Sequence, residues 1–496
     1  MLVILSTFWK SAEEGHGGGR ECRAKMRRVL IAGGGFTGAA AAIQLARAAP
    51  APLDIAVVEP RESLGGGLAY GGADPDHRVN GTHALLVLFP EDIGHFARWF
   101  DASGGPARDP EARWDPTGVL YVRRSEVRRY MAETLAAHAA ENPSGSRIRH
   151  LRDRAAAVAE TPRGLKVTLA GGGTAEAETL VLALAGAVPA LPGGVSPEAA
   201  AHPGFVRDPL DEAALARVPS DAAVLLVGSG LTAADVVATL ARQGHRGPIA
   251  AVSRRGLRPE PQGAAPDAAA LMARLSRPLP RFLERHGEHL TLAAAFRALR
   301  SDLRAAKAEG RDPKAPFDDA RDAAARLWPQ FSPAEKRRFL RHLKPWYDVN
   351  RYRMVPQTGA VVARLGASGQ LEFRTARFVS AAPEGARLRV RLSARGAETS
   401  ESFDSVILCT GPQSFAPDPF LDSLTAAGLA RPDPLGLGIE VDGDSRVIDA
   451  AGRARDDLWA FGLLTRGRFG DMTAIPQIAF RLSRSLPALA RAAAGG

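Results

Sequence analysis

The sequence predicts an α/β protein that contains two copies of one strand–turn–helix pattern. Each copy begins with an apolar strand, at residues 28–32 or 223–227, and continues through a glycine-rich turn into an alanine-rich helix. Short strands of alternating polarity follow each copy, as in an antiparallel β-meander, and an apolar strand then ends at Gly186 or Gly411. The length of 496 residues exceeds one ordinary hydrophobic core, so two or three domains are expected.

The composition is that of a globular protein. Apolar residues make up 45% and charged residues 24% of the chain, and no apolar run reaches the roughly 18–20 residues that span a bilayer. The two cysteines, Cys22 and Cys409, form no CxxC pair, which favours a cytoplasmic location over a disulfide framework or dithiol chemistry. The net charge of +10 is spread along the chain among acidic residues, so we expect a solvated surface and no nucleic-acid partner.

The first glycine-rich turn has the G-x-G-x-x-G spacing at Gly33, Gly35 and Gly38. The first glycine permits the tight turn, the second lets the backbone approach a pyrophosphate, and the third allows close packing of helix on strand. The next apolar strand ends at Glu59, whose carboxylate can accept hydrogen bonds from ribose hydroxyls. Because strand, turn, helix, second strand and acid occur together, they predict a dinucleotide-binding site rather than an ordinary glycine-rich turn.

The second turn has the related G-x-G-x-x-A spacing, at Gly228, Gly230 and Ala233. The helix that follows ends near residue 244, and the stretch GPIAAVSRR supplies the next strand. This copy therefore predicts a second dinucleotide site.

The two copies differ at the end of the second strand. Where the first copy has Glu59, the equivalent position of the second copy is Arg254, flanked by Ser253 and Arg255. An acid there would repel a 2′-phosphate, whereas arginine binds phosphate through bidentate, charge-assisted hydrogen bonds. We therefore predict that the second site prefers NADPH to NADH.

Two dinucleotide sites on one chain suggest that one holds a flavin and the other supplies hydride to it. Further stretches fit this organisation: GGGLAYGGADPDHRVN (65–80), PEDIGHFARWF (90–100), VLLVGSGLTAADVV (224–237), GHRGPIAAVSRRGL (244–257), FLRHLKPWYDVNRYRM (339–354), VILCTGP (406–412) and LWAFGLLTRG (458–467). With these motifs the chain resembles the flavoproteins with two dinucleotide-binding domains. Within that superfamily it is similar to bacterial FAD/NAD(P)-binding proteins, which are related to N-hydroxylating and Baeyer–Villiger flavin monooxygenases.

The resemblance implies that the first copy binds FAD. It implies that the glycine-rich LGGGLAYG stretch, including Gly67, passes close to the flavin, although a flexible surface loop is the alternative. It makes Asn80 a candidate contact to the flavin or the substrate. The return strand around Gly462 would complete the flavin domain, with Leu463 where the superfamily usually has aspartate. The remaining implied FAD ligands are Gly33, Gly35, Gly38 and Glu59.

The expected fold class is therefore α/β, with two Rossmann-like nucleotide-binding domains and antiparallel β-meanders, the second domain inserted in the first, plus an inserted helical subdomain. The second meander is expected to begin with the stretch LEFRTARFVSAA, residues 371–382. The expected domains are a disordered leader (1–25, or a start assigned too early, with Met26 the true one), the first part of the FAD-binding domain (26–190), an NADPH-binding domain (191–412) that contains the helical insert (258–350), and the second part of the FAD-binding domain (413–496).

The helical insert supplies candidate substrate residues. Ser332 and Glu335 predict a capping box at the start of one of its helices. At its end, Trp346, Asp348 and Arg351 combine aromatic and charged groups, as small-molecule pockets do, although a salt-bridged junction between insert and sheet explains them equally well. One apolar stripe is expected to face a core: Leu292, Phe296, Leu299 and Leu303.

The function that best fits these features is an FAD-dependent, NADPH-using monooxygenase acting on a small amine-type metabolite through a flavin peroxide. The Baeyer–Villiger fingerprint F-x-G-x-x-x-H-x-x-x-W is missing between the two turns, which favours N-hydroxylation over ketone oxidation. One alternative is an NADPH-dependent reductase that passes electrons to a small or protein acceptor. The other is a non-catalytic nucleotide-binding partner. No catalytic residue is assigned. The substrate and any homo-oligomeric state stay open, and His77 and His83 are interpreted as loop histidines rather than metal ligands.

Overall fold

The computed structural model describes residues 26–114, 118–184, 189–263, 273–274, 277–312, 314–411 and 418–495. The expected leader, Cys22 and Gly186 lie outside the described residues. The strands, in chain order, are β1 (Arg27–Ala32), β2 (Leu53–Val58), β3 (Arg113–Trp114), β4 (Val119–Leu120), β5 (Arg147–Leu151), β6 (Ala155–Thr161), β7 (Gly164–Leu169), β8 (Thr174–Ala177), β9 (Thr179–Leu182), β10 (Phe205–Val206), β11 (Val224–Val227), β12 (Ile249–Ser253), β13 (Leu371–Thr375), β14 (Arg377–Glu384), β15 (Arg387–Ala394), β16 (Ala397–Phe403), β17 (Ser405–Leu408), β18 (Arg446–Ile448) and β19 (Ala454–Ala460).

The helices connect these strands and form the insert. They are α1 (Phe36–Ala48), α2 (Gly67–Tyr70), α3 (His95–Ala102), α4 (Gly105–Arg108), α5 (Arg124–Ala140), α6 (Pro197–Ala200), α7 (Glu212–Ala216), α8 (Leu231–Arg242), α9 (Arg281–His286), α10 (Leu292–Ala308), α11 (Lys314–Leu327), α12 (Pro333–Arg338), α13 (Lys344–Arg351), α14 (Pro356–Ala367), α15 (Pro419–Ala426), α16 (Arg466–Phe469) and α17 (Ile475–Ala494). A π-helical turn, Phe339–Leu343, joins α12 to α13.

The first domain is built on a six-stranded sheet in the order β18-β19-β9-β1-β2-β5. All neighbours run parallel except β18, which is antiparallel to β19. The central strands are buried apolar runs, as a parallel sheet covered on both faces requires. Helix α1 is rich in alanine and almost wholly buried, so it packs closely on this sheet and on α17.

The second domain is built on a five-stranded parallel sheet in the order β10-β17-β11-β12-β13. Its strands fall between β9 and β18 of the first domain in sequence, so the second domain is inserted in the first. Each domain carries a three-stranded antiparallel meander, β6-β7-β8 or β14-β15-β16. The predicted fold class, with two nucleotide-binding-type sheets, meanders and insertion, is confirmed.

One strand was predicted in the wrong sheet. The stretch 371–382 was expected to open the second meander, but it divides into two strands at Ala376. Strand β13 extends the parallel sheet, with Leu371 opposite Ile249, and β14 begins the meander. The parallel pairing with β12 ends where the Ala376 N–H donates to the Ser253 carbonyl at 3.1 Å, and the antiparallel pairing with β15 begins at Arg377, opposite Ser393.

The helical insert leaves and rejoins the second domain at one place. Pro261 forms an isolated bridge with Met354, and the backbone of Gln262 donates to the Met354 carbonyl. The predicted capping box is present, because Ser332 and Glu335 exchange side-chain and backbone hydrogen bonds. None of the described helices combines the length and the apolar character needed to cross a membrane.

Candidate functional site

The first glycine-rich turn lies between β1 and α1 and has a backbone that only glycine tolerates. Gly33 has φ +102°, and a Cβ there would lie 2.6 Å from the Ala183 carbonyl oxygen. A Cβ on Gly38 would overlap the carbonyl of Gly33. Gly35 is the N-cap of α1 and has no side chain to occupy the helix N-terminus. The amide groups at that helix end are therefore accessible, as an anion site requires.

Glu59 follows β2 and is held at the edge of this turn. One carboxylate oxygen accepts a hydrogen bond from the Gly34 N–H at 3.0 Å. The other accepts from the backbone N–H and the guanidinium of Arg61, at 3.2 and 3.0 Å. The Glu59 carboxylate is buried while Arg61 is largely exposed. Sequence reasoning missed Arg61, although its place two residues after the strand end was a usable signal.

Two segments distant in sequence converge on the first turn. Gly67, at φ +55°, packs so closely that a Cβ would lie 2.9 Å from the Gly35 Cα. Gly462, at φ +72°, lies over the start of α1, and a Cβ there would lie 3.0 Å from the Thr37 hydroxyl. Leu463, which replaces the usual acid, is half-buried. The structure thus brings Gly67 and Gly462 to the first turn.

Asn80 lies at the border between the first domain and the insert. Its carbonyl oxygen accepts a hydrogen bond from the Gln262 amide at 2.8 Å. Within the described ranges its own side chain makes no hydrogen bond. The half-buried amide is therefore available to a ligand.

The second turn, between β11 and α8, has the same backbone. Gly228 has φ +121°, and a Cβ there would overlap the carbonyl of Cys409. Ala233 is buried against the sheet. Gly230 differs, because a Cβ on it would meet no atom of the described chain within 4 Å. There is therefore open space above Gly230, at the N-terminus of α8.

The predicted phosphate-binding residues lie at the end of β12. Ser253 is the last residue of the strand, and its hydroxyl is 3.5 Å from the Leu257 carbonyl. Arg254 and Arg255 are exposed in the turn that follows, and neither forms an ion pair with any described residue. Arg258, which sequence reasoning missed, lies over the Phe373 ring at 5.5 Å beside the same turn. Three guanidinium groups therefore border one edge of the second site.

Polar contacts from one face of α8 hold the two domains together. Asp235 forms an ion pair with Arg124 of the first domain at 2.7 Å. One turn later Thr239 donates to Asp74 at 2.7 Å, and Arg242 pairs with the same carboxylate at 2.9 Å. These residues are spaced i, i+4 and i+7, so they share a helix face. The helix that starts at the second turn is thereby docked on the first domain.

A cavity of about 510 Å³ lies between the insert and the first domain. Its walls come mainly from α10, α11, the π-helical turn and α13, and four residues of the first domain also line it: Leu437, Arg466, Gly470 and Asp471. The stripe predicted to face a core does so in part, because Leu292 is buried in a core cluster of the insert and Leu299 packs against it. All four residues of the stripe also line the cavity, and Phe296 is 41% exposed. The helical period identified the apolar face correctly, but the helices opposite do not fill the space in front of it.

The three candidate substrate residues are placed differently. Trp346 and Asp348 line the cavity, Trp346 with 53% of its surface exposed and Asp348 paired with Lys344. Arg351 instead forms an ion pair with Asp471, 2.8 Å from Nε to Oδ2. This pair joins the insert to the first domain at the segment that follows α16, rather than to a sheet.

The surroundings of Asp471 set its charge. Burial alone would raise the pKa of this carboxyl, but the Arg351 charge and hydrogen bonds from Thr473, Arg351 and Tyr352 hold the pKa below its usual value. Burial and the Asp471 charge raise the pKa of Tyr352, so its hydroxyl stays protonated and donates to Asp471 at 3.0 Å. Asp471 is therefore an ionised, fully partnered carboxylate.

Comparison with known proteins agrees with this geometry. Residues 30–187 match the sequence model of a family described as FAD-NAD(P)-binding. No curated protein sequence matches the chain. Among solved structures, the ornithine N-hydroxylase of Kutzneria sp. 744 has a TM-score of 0.63 at 18% identity, covering 94% of this chain and 99% of that one.

Two further structures are similar over the same shares of both chains, 94% and 99%. They are the ornithine hydroxylase of Pseudomonas aeruginosa, with a TM-score of 0.60 at 15% identity, and the L-lysine 6-monooxygenase of Pseudomonas syringae, with a TM-score of 0.60 at 18% identity. The chain therefore has the fold of the flavoproteins with two dinucleotide-binding domains.

Proposed function

We propose that the protein is an FAD-dependent, NADPH-using monooxygenase that acts on a small, nucleophilic, amine-type metabolite. The observation that carries this proposal is the presence of two glycine-lined turns together with a separate cavity. The two turns lie on domains that contact each other through α8, and the cavity is lined in part by the segment that follows Gly462. Two dinucleotide sites and one separate cavity are what a reaction with two cofactors and a third reactant needs.

In this proposal FAD lies at the first turn. The pyrophosphate faces the N-terminus of α1, where Gly33, Gly35 and Gly38 leave room for it. Glu59 keeps lone pairs for the ribose hydroxyls beside its bonds to Gly34 and Arg61. When bound, FAD supplies the redox chemistry, accepting hydride from NADPH and activating O₂.

NADPH is proposed to lie at the second turn, with its pyrophosphate in the open space above Gly230. Ser253, Arg254 and Arg255 then bind the 2′-phosphate, and Arg258 adds a third positive charge. At the domain interface, carboxylates pair with Arg124 and Arg242. The guanidinium groups at the end of β12 have no such partner among the described residues, so they are suited to an anionic ligand.

The chain's own contribution is to bind the amine and to keep water away. A nucleophilic amine reacts through its own lone pair, so no acid–base triad is required. Asp471, held ionised by Arg351 and Tyr352, serves as a fixed part of the cavity wall rather than as a base. The apolar side chains that make up most of the cavity lining reduce the contact of a bound amine with water.

The similar structures support the amine class. The Kutzneria enzyme has been solved with reduced FAD, NADP⁺ and L-ornithine, and the other two act on ornithine and lysine. A reductase that uses dithiol chemistry does not fit, since Cys409 is buried, its thiol pKa is raised by burial, and the sequence has no CxxC pair.

The test is a coupled assay on the purified, FAD-loaded protein. We expect NADPH to reduce the flavin faster than NADH does, and amines to stimulate O₂ consumption with formation of a hydroxylamine. Hydrogen peroxide formed in equal amount to NADPH oxidised, with or without amine, together with fast turnover of an artificial acceptor, would instead indicate a reductase. Failure to bind FAD on reconstitution would leave the non-catalytic alternative.

A further inference from the structure

The lining of the cavity in the insert is suited to a hydrocarbon group of a ligand. Its volume of about 510 Å³ falls within the range of small-molecule pockets, roughly 300–1,000 Å³. Most of its surface comes from apolar side chains of four elements, exemplified by Leu299, Leu303, Phe317, Trp328 and Leu340. A cavity lined in this way gains binding free energy from CH₂ groups and penalises charges.

The carboxylates that line it are already partnered. Asp348 is paired with Lys344, and Asp471 is paired with Arg351. Neither acid is therefore free for the α-ammonium group of an amino acid. Burying that ammonium among apolar side chains without a partner is costly.

Two of the cations in the lining are partnered as well. Lys344 is paired with Asp348, and Arg321 is paired with Asp318 and Asp322. An apolar environment favours the neutral form of an amine over its ammonium form. The neutral form is the nucleophilic one, so these walls suit an amine whose only ionisable group is the reacting nitrogen.

Part of the cavity wall comes from the segment of the first domain that follows Gly462. Arg466, Gly470 and Asp471 line the cavity and follow within nine residues of Gly462, which lies over the start of α1. Trp328 of the insert fixes this segment by donating from Nε1 to the Gly467 carbonyl at 3.0 Å. The cavity is therefore bounded by the insert and by the first domain.

Resting on the proposed function, we infer that the substrate is a primary amine with an apolar chain or ring and no second charged group, and that its apolar part occupies the cavity of the insert. This substrate class differs from the charged amino acids named for the similar structures. It follows from the walls and charges of this chain.

The test is a binding series on the FAD-loaded protein by calorimetry, with n-alkylamines from butyl to octyl and the matching n-alkanols. We expect Kd to fall about fourfold for each added methylene, which corresponds to about 0.8 kcal/mol of burial. Hexylamine should bind more tightly than 6-aminohexanoate, lysine or ornithine. A flat series, or tighter binding of the charged amino acids, would overturn the inference.

A matched pair of variants tests where the alkyl chain of the ligand binds. Ala324 lines the cavity on α11, whereas its neighbour Ala325 is exposed and does not. Ala324→Phe should weaken octylamine binding at least tenfold and leave butylamine within about twofold, while Ala325→Phe should change neither. Equal effects of the two variants would show that the alkyl chain binds elsewhere and would overturn its assignment to the cavity.

The alkanols separate this inference from the proposed function. An alkanol cannot be N-hydroxylated, but its chain occupies the same walls. If binding rises with chain length while no amine is oxygenated, the proposed function fails and the cavity assignment stands. If amines are oxygenated but neither binding nor rate depends on the length of the alkyl chain, the proposed function stands and the cavity assignment fails.

Discussion

Arg351 of the insert and Asp471 of the first domain form an ion pair in which each side chain is 14% exposed. The two residues lie 120 positions apart in sequence. Tyr352 donates to the same carboxylate, so the insert and the first domain are linked at one buried point beside the cavity. The first prediction follows from this pair.

Replacing one partner should destabilise the protein more than replacing both. Arg351→Met leaves Asp471 ionised and buried without its cation, which typically costs about 3–5 kcal/mol. The double variant Arg351→Met/Asp471→Leu removes both charges and should recover much of that loss. Chemical unfolding of the three proteins measures the difference. Equal destabilisation in the single and double variants would show that the pair does not act as a unit.

The same pair predicts a pH dependence. The pKa of Asp471 is lower in the folded protein than its ordinary value, about 3.9, so the unfolded chain binds the proton more readily. The stabilisation is therefore complete above the ordinary pKa and is lost as the pH falls through the folded pKa. The stability difference between wild type and the double variant, measured from pH 7 to pH 3, should move in favour of the double variant only below about pH 4. A constant difference would contradict the ion-pair assignment.

The proposed preference for NADPH rests on the end of β12. Arg254→Glu with Arg255→Ala removes the two charge-assisted hydrogen bonds proposed for the 2′-phosphate, each typically worth about 1.5–3 kcal/mol. We expect the KM for NADPH to rise at least about tenfold and the KM for NADH to change little. Arg217→Glu, at an exposed arginine of the same domain, is the control and should alter neither. Equal changes for the two coenzymes would exclude the assignment.

Gly230 tests the second turn without disturbing the fold. A Cβ there meets only open space, and its φ of −82° suits any residue, so Gly230→Ala should fold normally. The methyl group occupies the space proposed for the pyrophosphate, and NADPH binding should weaken at least tenfold while FAD content stays unchanged. Gly359→Ala, also in open space but on α14, is the matched control. If Gly230→Ala binds NADPH as tightly as the wild type does, the coenzyme does not bind at this turn.

Glu59 tests the first turn. Glu59→Ala removes the acceptor of the Gly34 N–H and the partner of Arg61, and with them the proposed ribose contact. We expect the purified variant to carry much less FAD per chain, measured by flavin absorbance, with NADPH binding at the second turn preserved. Glu62→Ala, at the exposed acid three residues later, should retain full FAD content. Full occupancy in Glu59→Ala would contradict the role proposed for this carboxylate.

The sequence by itself determined the local parts of this protein. The two glycine-rich turns, the acid or arginine at each strand end and the capping box at Ser332 depend on backbone conformations within a few residues, so spacing alone reveals them. The order of apolar strands also predicted the insertion of one domain in the other.

Only the tertiary structure decided what lies opposite these parts. The approach of Gly67 to Gly35, the Arg351–Asp471 pair and the separation of β13 from β14 join segments whose own patterns allow several partners. The apolar stripe on α10 is another feature whose surroundings the sequence did not reveal. Helical periodicity indicates which face is apolar, but whether a packed core or a cavity lies before it depends on the side chains that the rest of the chain brings there.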